Sequence, residues 1–399
     1  MDELDNLYFG NKMSEVADAI RTYPIIYDIT QRELYRKVLD DLKNGTVKEI
    51  DTDLYEAYGN GLRKAVDTVL GESEYGDEYF DMQMQMRANV SRFAAYKAYH
   101  ATQELKDVDP ADIDKKGKLI LNKYNRWQAA EYNTAVARTR TAKQYHDFTS
   151  DPISNELYPN IKWLPSRSAS PREAHRVFWN RVWAKNDPFW NSNTPGSLWN
   201  CKCDWEETDE PVTNGNPNGT MSSKGLEGNP AVTGEIFYSQ KTNGVDRRHP
   251  YFSCSNSKKK KIEDCICENV LRGESVRSLK KLQSREVSIK KDSELIDVVF
   301  DSKTTKHLSN DAVNNVNFFW NEIFPNVDKL LENARLVAHE NNTKTDKKPS
   351  AIHYYYYECM VGKNVFYLNI EENYVVRENR HFYRLYSITH GLRDSAIMY

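Results

Sequence analysis

Apolar positions recur every three to four residues through the first 150 residues. In DITQRELYRKVLDDLKNG, residues 28–45, Leu34, Val38 and Leu42 mark one helical face. Thr30 and Glu33 have the spacing of a capping box, and Gly45 is a stop signal. DTDLYEAYGNGLRKAVDTVLG predicts a second helix, over 51–71. EYFDMQMQMRANVSRFAAYKAYHATQELKD predicts a third, over 78–107, whose methionines and aromatics suit core packing. A fourth, polar on one face, is expected over 111–148. Residues 28–150 therefore read as an α-helical domain, preceded by a patternless arm, 1–27.

The pattern breaks at residue 151. Six of the eight tryptophans lie between 163 and 205, with prolines at 165, 171, 188 and 195. Large aromatics bury much area, and the prolines forbid one long helix. Residues 151–211 are thus expected to form an irregular, tryptophan- and cysteine-rich knot. Residues 212–254 are rich in Gly, Pro and Asn, which predicts surface loops, with a short hairpin expected over 234–254. Residues 255–284, with lysines at 258–261, read as a linker with a helical part.

From 285 the texture changes again. VSIKKDSELIDVVFD predicts a strand or two, 307–340 reads as helix interrupted at Pro325, and three aromatic, β-branched runs follow at 351–361, 364–373 and 380–390. Residues 285–399 are expected to be a small α+β domain with an antiparallel sheet of three or four strands. The expected fold is therefore multidomain: mainly α-helical first, then the knot, then α+β.

Charge and cysteine usage narrow the classes. The 399 residues carry a net charge of −3, so no global basic field draws nucleic acid. No apolar run is long enough to span a bilayer, so no membrane partner is expected. The N-terminus, MDELDNLYFG, lacks the layout of a signal peptide, so the six cysteines are expected to be reduced or metal-bound. His175, Cys201 and Cys203 are of zinc-ligand type, with a fourth ligand available from Asp187, His249 or another cysteine. The other reading is two small buried side chains beside a hydrogen-bonded histidine. His249, Cys254, Cys265 and Cys267 have the right types but no recognisable metal spacing.

Several motifs carry a resemblance. From Asn125 the chain reads NRWQAAEYNTAVARTRTAKQYHDF, then LYPNIKWLPSRSASPREAHR, with Arg167, Pro171 and His175 four apart. Asp187-Pro188-Phe189-Trp190, Pro195-Gly196 and Trp199-Asn200-Cys201-Lys202-Cys203 follow. This pattern resembles the phage Mu F-like minor head proteins, also called head morphogenesis proteins, with Lys202 where Arg is usual. The resemblance covers about 30–255. It implies a head-assembly protein in the virion and in the bacterial host cytoplasm, with portal and capsid proteins as partners.

Members of that family often end in a toxin-like domain. The layout of 285–399 resembles the phage barnase–EndoU–colicin–RelE nuclease group, through Lys306-His307, Leu331–Ala334, Tyr354–Tyr357 and Leu385–Thr389. Metal-independent RNA cleavage needs a base, an acid and a cation beside the phosphate. His307, His353, Thr389 and Arg393 are the catalytic candidates. Lys306, Tyr355 and Tyr357 are the RNA-binding candidates, the tyrosines by stacking on bases. No cofactor is then required, only a structural zinc in the knot; a host RNA is the substrate and an immunity protein a further partner. The alternatives are a purely structural head protein whose last domain is a binding module, and a C-terminal ADP-ribosyltransferase. The last is disfavoured because Glu371-Glu372 lacks the Glu-x-Glu spacing and no Ser-Thr-Ser segment exists. Residues 281–399 carry almost no net charge, which weighs against a strong RNA binder.

Overall fold

The computed structural model describes residues 4, 7–8, 29–168, 171, 173–241, 244–252, 262–315, 317–343, 346–362, 364–393 and 395–399. Cys254 and the lysines at 258–261 lie outside these. The chain is mixed α/β and divides into two compact units, 1–73 with 85–262 and 74–84 with 263–399. No described helix is long and apolar enough to cross a membrane.

The principal helices of the first unit are α1 (Ile29–Lys43), α2 (Thr52–Leu70), α3 (Phe80–Lys106, from residue 85 on) and α4 (Lys118–Ser150). Asp51 starts α2 by accepting from the Leu54 amide at 2.9 Å, and Leu54, Tyr58, Leu62, Ala65 and Val66 form its buried stripe. At Gly117, just before α4, a Cβ would lie 2.5 Å from Leu39 Cδ2, so a larger residue there would push that leucine side chain aside. The buried face of α4 contains two charged residues. Glu131 accepts from Lys97, and Lys97 also donates to Gln128 at 2.8 Å. Arg138 donates to the carbonyls of Leu226 at 3.0 Å and Gly228 at 3.1 Å. These bonds pin the loop-rich region onto α4.

The tryptophan-rich stretch is more regular than its composition suggests. It holds a three-stranded antiparallel sheet, with β1 (Asn160–Leu164) between β2 (Val182–Ala184) and β3 (Asp204–Thr208). Trp163, Phe178, Trp183, Trp190 and Trp205 form the cluster beside it. Trp183 stacks on Phe189 at 4.1 Å, and the Trp190 indole donates to the Ala184 carbonyl at 2.9 Å. The hairpin expected over 234–254 does not form among the described residues. Phe237 instead exchanges both backbone bonds with the Asn89 side chain, 2.8 and 2.9 Å, which takes the place of a strand partner.

The second unit has α5 (Arg272–Lys280), β4 (Glu286–Lys291), β5 (Glu294–Val299), α6 (Ser302–Asn314), α7 (Phe318–Ile323) and α8 (Val327–Glu332). Then come β6 (Arg335–Asn341), β7 (Ala351–Val361), β8 (Asn364–Val375), β9 (Arg380–Thr389) and β10 (Ile397–Met398). The expected three- or four-stranded antiparallel sheet is the centre of a larger one, in the order β10-β6-β7-β8-β9-β5-β4. It is mixed, because β5 runs parallel to β9. Residues 335–340, expected as helix, lie in β6: paired to β7, they place Val337 and Ala338 in a cluster with Tyr354 and Tyr356. The helical part of the expected linker belongs to this unit, because Leu279 and Leu282 lie in its core. So do Phe80 and Met84 from the first turn of α3.

Trp190 is fully buried. Trp190→Ala should destabilise the first unit by about 3–5 kcal/mol, the usual cost of truncating a core aromatic. The melting midpoint of the purified chain measures this.

Candidate functional site

Strand β8 carries two adjacent carboxylates, Glu371 and Glu372. Successive strand residues point to opposite faces, so the two serve different environments. Glu371 pairs across to Tyr354 and Arg384, and Glu372 to His353 and Tyr383. Both are nearly inaccessible to solvent, at 4% and 3%.

Glu371 sits in a cleft of about 170 Å³. Lys348 Nζ lies 2.7 Å from its Oε2, Tyr354 donates at 3.2 Å, Asn373 donates to Oε1 at 3.1 Å and Arg384 Nε stands at 3.2 Å. Burial alone would raise this carboxyl's pKa. The bonds from Lys348 and Asn373 and the charges of Lys348 and Arg384 outweigh burial and hold it below the ordinary value.

The wall opposite is the start of α6. Asp301 caps that helix, accepting from the Lys303 and Thr304 amides at 2.9 Å each, and also accepts from Arg384 at 2.8 Å. Thr304 donates to the Leu385 carbonyl at 2.7 Å, which pins the helix to β9. Lys303 and His307 are four apart, so both face the cleft. The His307 ring packs on Tyr386 at 4.3 Å, and Lys348 Nζ lies 3.5 Å from the Tyr386 ring centre. Burial pushes the His307 pKa down, Lys348 adds to this, and Glu371 opposes it. Lys347 completes four cations around one carboxylate and one imidazole. Such a site can hold a phosphate and move protons.

The expected catalytic set is not brought together. His307 lines the cleft. His353 faces the opposite side of the sheet, opposite Glu372 and 6.1 Å from the Tyr355 ring. Thr389 pairs with Tyr367, about 13 Å along β8 from Glu371 at ~3.3 Å per residue, and donates to the Gly391 carbonyl at 2.9 Å. Arg393 donates at 2.6 Å to Glu340, another buried carboxylate. Of the RNA-binding candidates, Lys306 is exposed on α6 but does not line the cleft. Tyr355 and Tyr357 are core residues, so neither ring can stack on a base. Tyr355 donates to Glu372 at 2.7 Å, and Tyr357 to the Lys290 carbonyl at 2.9 Å. Glu372 also receives His381 at 2.6 Å and Tyr383 at 3.0 Å.

Lys348, Glu371 and Arg384 escape a reading of the sequence. The one available signal is a pair of carboxylates inside an otherwise uncharged strand, which calls for buried cationic partners.

In the first unit, His175, Cys201 and Cys203 converge, with all donor atoms within 4.8 Å of one another. His249 is elsewhere. It accepts from the Tyr251 amide at 3.2 Å and contacts the Tyr8 hydroxyl at 2.9 Å, so both ring nitrogens are engaged. Tyr8 in turn donates to Glu131 at 2.8 Å.

Residues 270–383 match the family model of large polyvalent protein-associated domain 3, a phage-associated domain. The match is confined to the C-terminal part of the chain. The match contains His307, Lys348 and Glu371 and ends one residue before Arg384. No curated protein and no solved structure matches the chain.

Tyr355→Phe tests the assignment of this ring to the core. It should cost about 1.5–3 kcal/mol, the worth of a hydrogen bond to a charged group, and leave any affinity for RNA unchanged. Thermal melting and a filter-binding assay measure the two effects.

Proposed function

We propose that the chain is a two-part phage protein: a minor head module followed by a domain that cleaves RNA without metal. The observation that carries the second part is the cleft, where Lys303, Lys347, Lys348 and Arg384 surround His307 and Glu371. The cations suit a phosphodiester. Glu371, ionised, takes the proton of the ribose 2′-hydroxyl. The 2′-oxygen attacks phosphorus, the bond to the 5′-oxygen breaks, and His307 protonates the leaving oxygen. Lys348 and Arg384 stabilise the charge that builds on the phosphate. The products are a 2′,3′-cyclic phosphate and a 5′-hydroxyl. This reading keeps His307 and replaces His353, Thr389 and Arg393 with Glu371, Lys348 and Arg384.

The head module rests on the motifs from His175 to Cys203. On this reading the protein sits in the virion beside portal and capsid proteins, and then in the host cytoplasm, with an immunity protein as the natural guard. Mass spectrometry of purified phage particles should detect the chain; absence from both particle and procapsid sinks this half.

The purified chain should cleave total RNA in the presence of chelator and leave cyclic phosphate ends. Glu371→Gln and His307→Ala should each reduce the rate by about 10²–10⁴-fold, the usual share of a general acid or base. The pH profile has a definite sign. Glu371, depressed, stays ionised well into the acid range, and His307, depressed, loses its proton below the ordinary histidine value. The optimum should therefore lie on the acid side of neutrality. Activity equal to that of the unmodified chain in either variant would overturn the assignment.

A further inference from the structure

We infer that His175, Cys201 and Cys203 hold a zinc ion in the first unit. The inference is independent of the cleft and of RNA cleavage.

Local backbone geometry builds the set. His175 lies in the short helical turn Glu173–Phe178, after β1, and both cysteines immediately precede β3. Asn200 adopts a left-handed conformation, φ 55°, which turns the chain sharply between Trp199 and Cys201. The Arg167 amide donates to the Lys202 carbonyl at 3.1 Å and holds the Cys-x-Cys loop against the end of β1. The three donor atoms lie within 4.8 Å of one another, and His175 Nδ1 is already 3.4 Å from Cys201 Sγ. Zinc bonds of about 2.3 Å to sulfur and 2.0–2.1 Å to nitrogen require donor separations of about 3.5–3.8 Å in a tetrahedron. Closure therefore needs only small side-chain rotations.

The surroundings are those of a ligand set. His175 Nε2 contacts the buried Ser197 hydroxyl at 3.3 Å. With Nε2–H donating there, Nδ1 presents its lone pair to the two sulfurs, the arrangement that orients metal-bound histidines. The Cys203 amide points at Cys201 Sγ from 3.4 Å, as a donor to a thiolate does. His175 and Cys201 are buried and Cys203 is partly exposed, so Cys203 marks the open side. Three protein donors and one open side match a site whose fourth position is taken by water.

The test uses the full chain. Elemental analysis should find about one zinc per chain. Cobalt(II) exchanged into the protein should give sulfur-to-metal charge-transfer absorption, and replacing both Cys201 and Cys203 by serine should abolish it. Ser197→Ala, which touches no donor directly except the histidine ring, should weaken zinc affinity by about 10–100-fold in a competition titration. Should a cysteine variant fail to fold, the unmodified chain still decides: chelator should expose two thiols to a thiol reagent, and added zinc should protect them again. A folded chain that binds neither zinc nor cobalt, a Cys201–Cys203 disulfide, or thiol reactivity unaffected by chelator would each overturn the proposal.

Discussion

Two neighbouring carboxylates on one buried strand constrain the whole second unit. Glu371 and Glu372 cannot share partners, because the strand pleat sends them to opposite faces. Each would be strongly destabilising unless paired, since an uncompensated buried charge costs several kcal/mol. On one face Lys348, Asn373, Tyr354 and Arg384 answer Glu371; on the other Tyr355, Tyr383, His381 and Lys291 answer Glu372. Asn373 lies on β8 itself; the other partners come from β4, β7, β9 and the segment before β7. Satisfying the pair therefore fixes the register of β8 with its two neighbours, β7 and β9, and the path of the loop carrying Lys348. A one-residue slip of β8 would send both carboxylates to the wrong sets of donors.

The first unit obeys the same rule with different groups. Glu131 and Arg138 lie on the buried face of α4, where a helix of this length would ordinarily be apolar. Glu131 is answered by Lys97 and by Tyr8, so α3 and α4 are locked in one relative position. Among the described residues Arg138 has no carboxylate within bonding distance; it collects the carbonyls of Leu226, Glu227, Gly228 and Glu235 instead. A loop has carbonyls to spare because it forms no ladder, and a guanidinium can bind several of them at once. The composition of 212–241 suggests loose surface loops, yet a buried cation organises part of it.

The sequence made some of this plain and hid the rest, for physical reasons. Helix α2 was legible because Leu54, Tyr58, Leu62 and Val66 repeat at the helical period. Strands β7, β8 and β9 were legible from aromatic and β-branched runs. The size and order of the sheet were not, because β5 joins β9 across some eighty residues, and nothing local announces a parallel partner. Tyr354–Tyr357 misled most. Alternation on a strand suggested that two rings would face a cleft, but both faces of β7 are covered. Tyr355 and Tyr357 lie in the large core cluster, while Tyr354 and Tyr356 pack with Val337 and Ala338. Of the candidate site, only His307 was legible, since Lys348, Glu371 and Arg384 lie on separate segments that meet through strand register.

The position of Asp301 explains why chemistry and stability are hard to separate in the cleft. One carboxylate caps α6 and also holds Arg384, which in turn stands against Glu371. The cap fixes the first turn of the helix, and that turn places Lys303 and His307 on the cleft wall. The helix start, the cation beside the phosphate position and the carboxylate opposite are thus one connected network. Charge removed at any point releases the others, because each buried member is held by partners inside the network rather than by water. The cleft and the sheet register are held by the same contacts: the polar groups of the one are those that the fold must satisfy in the other.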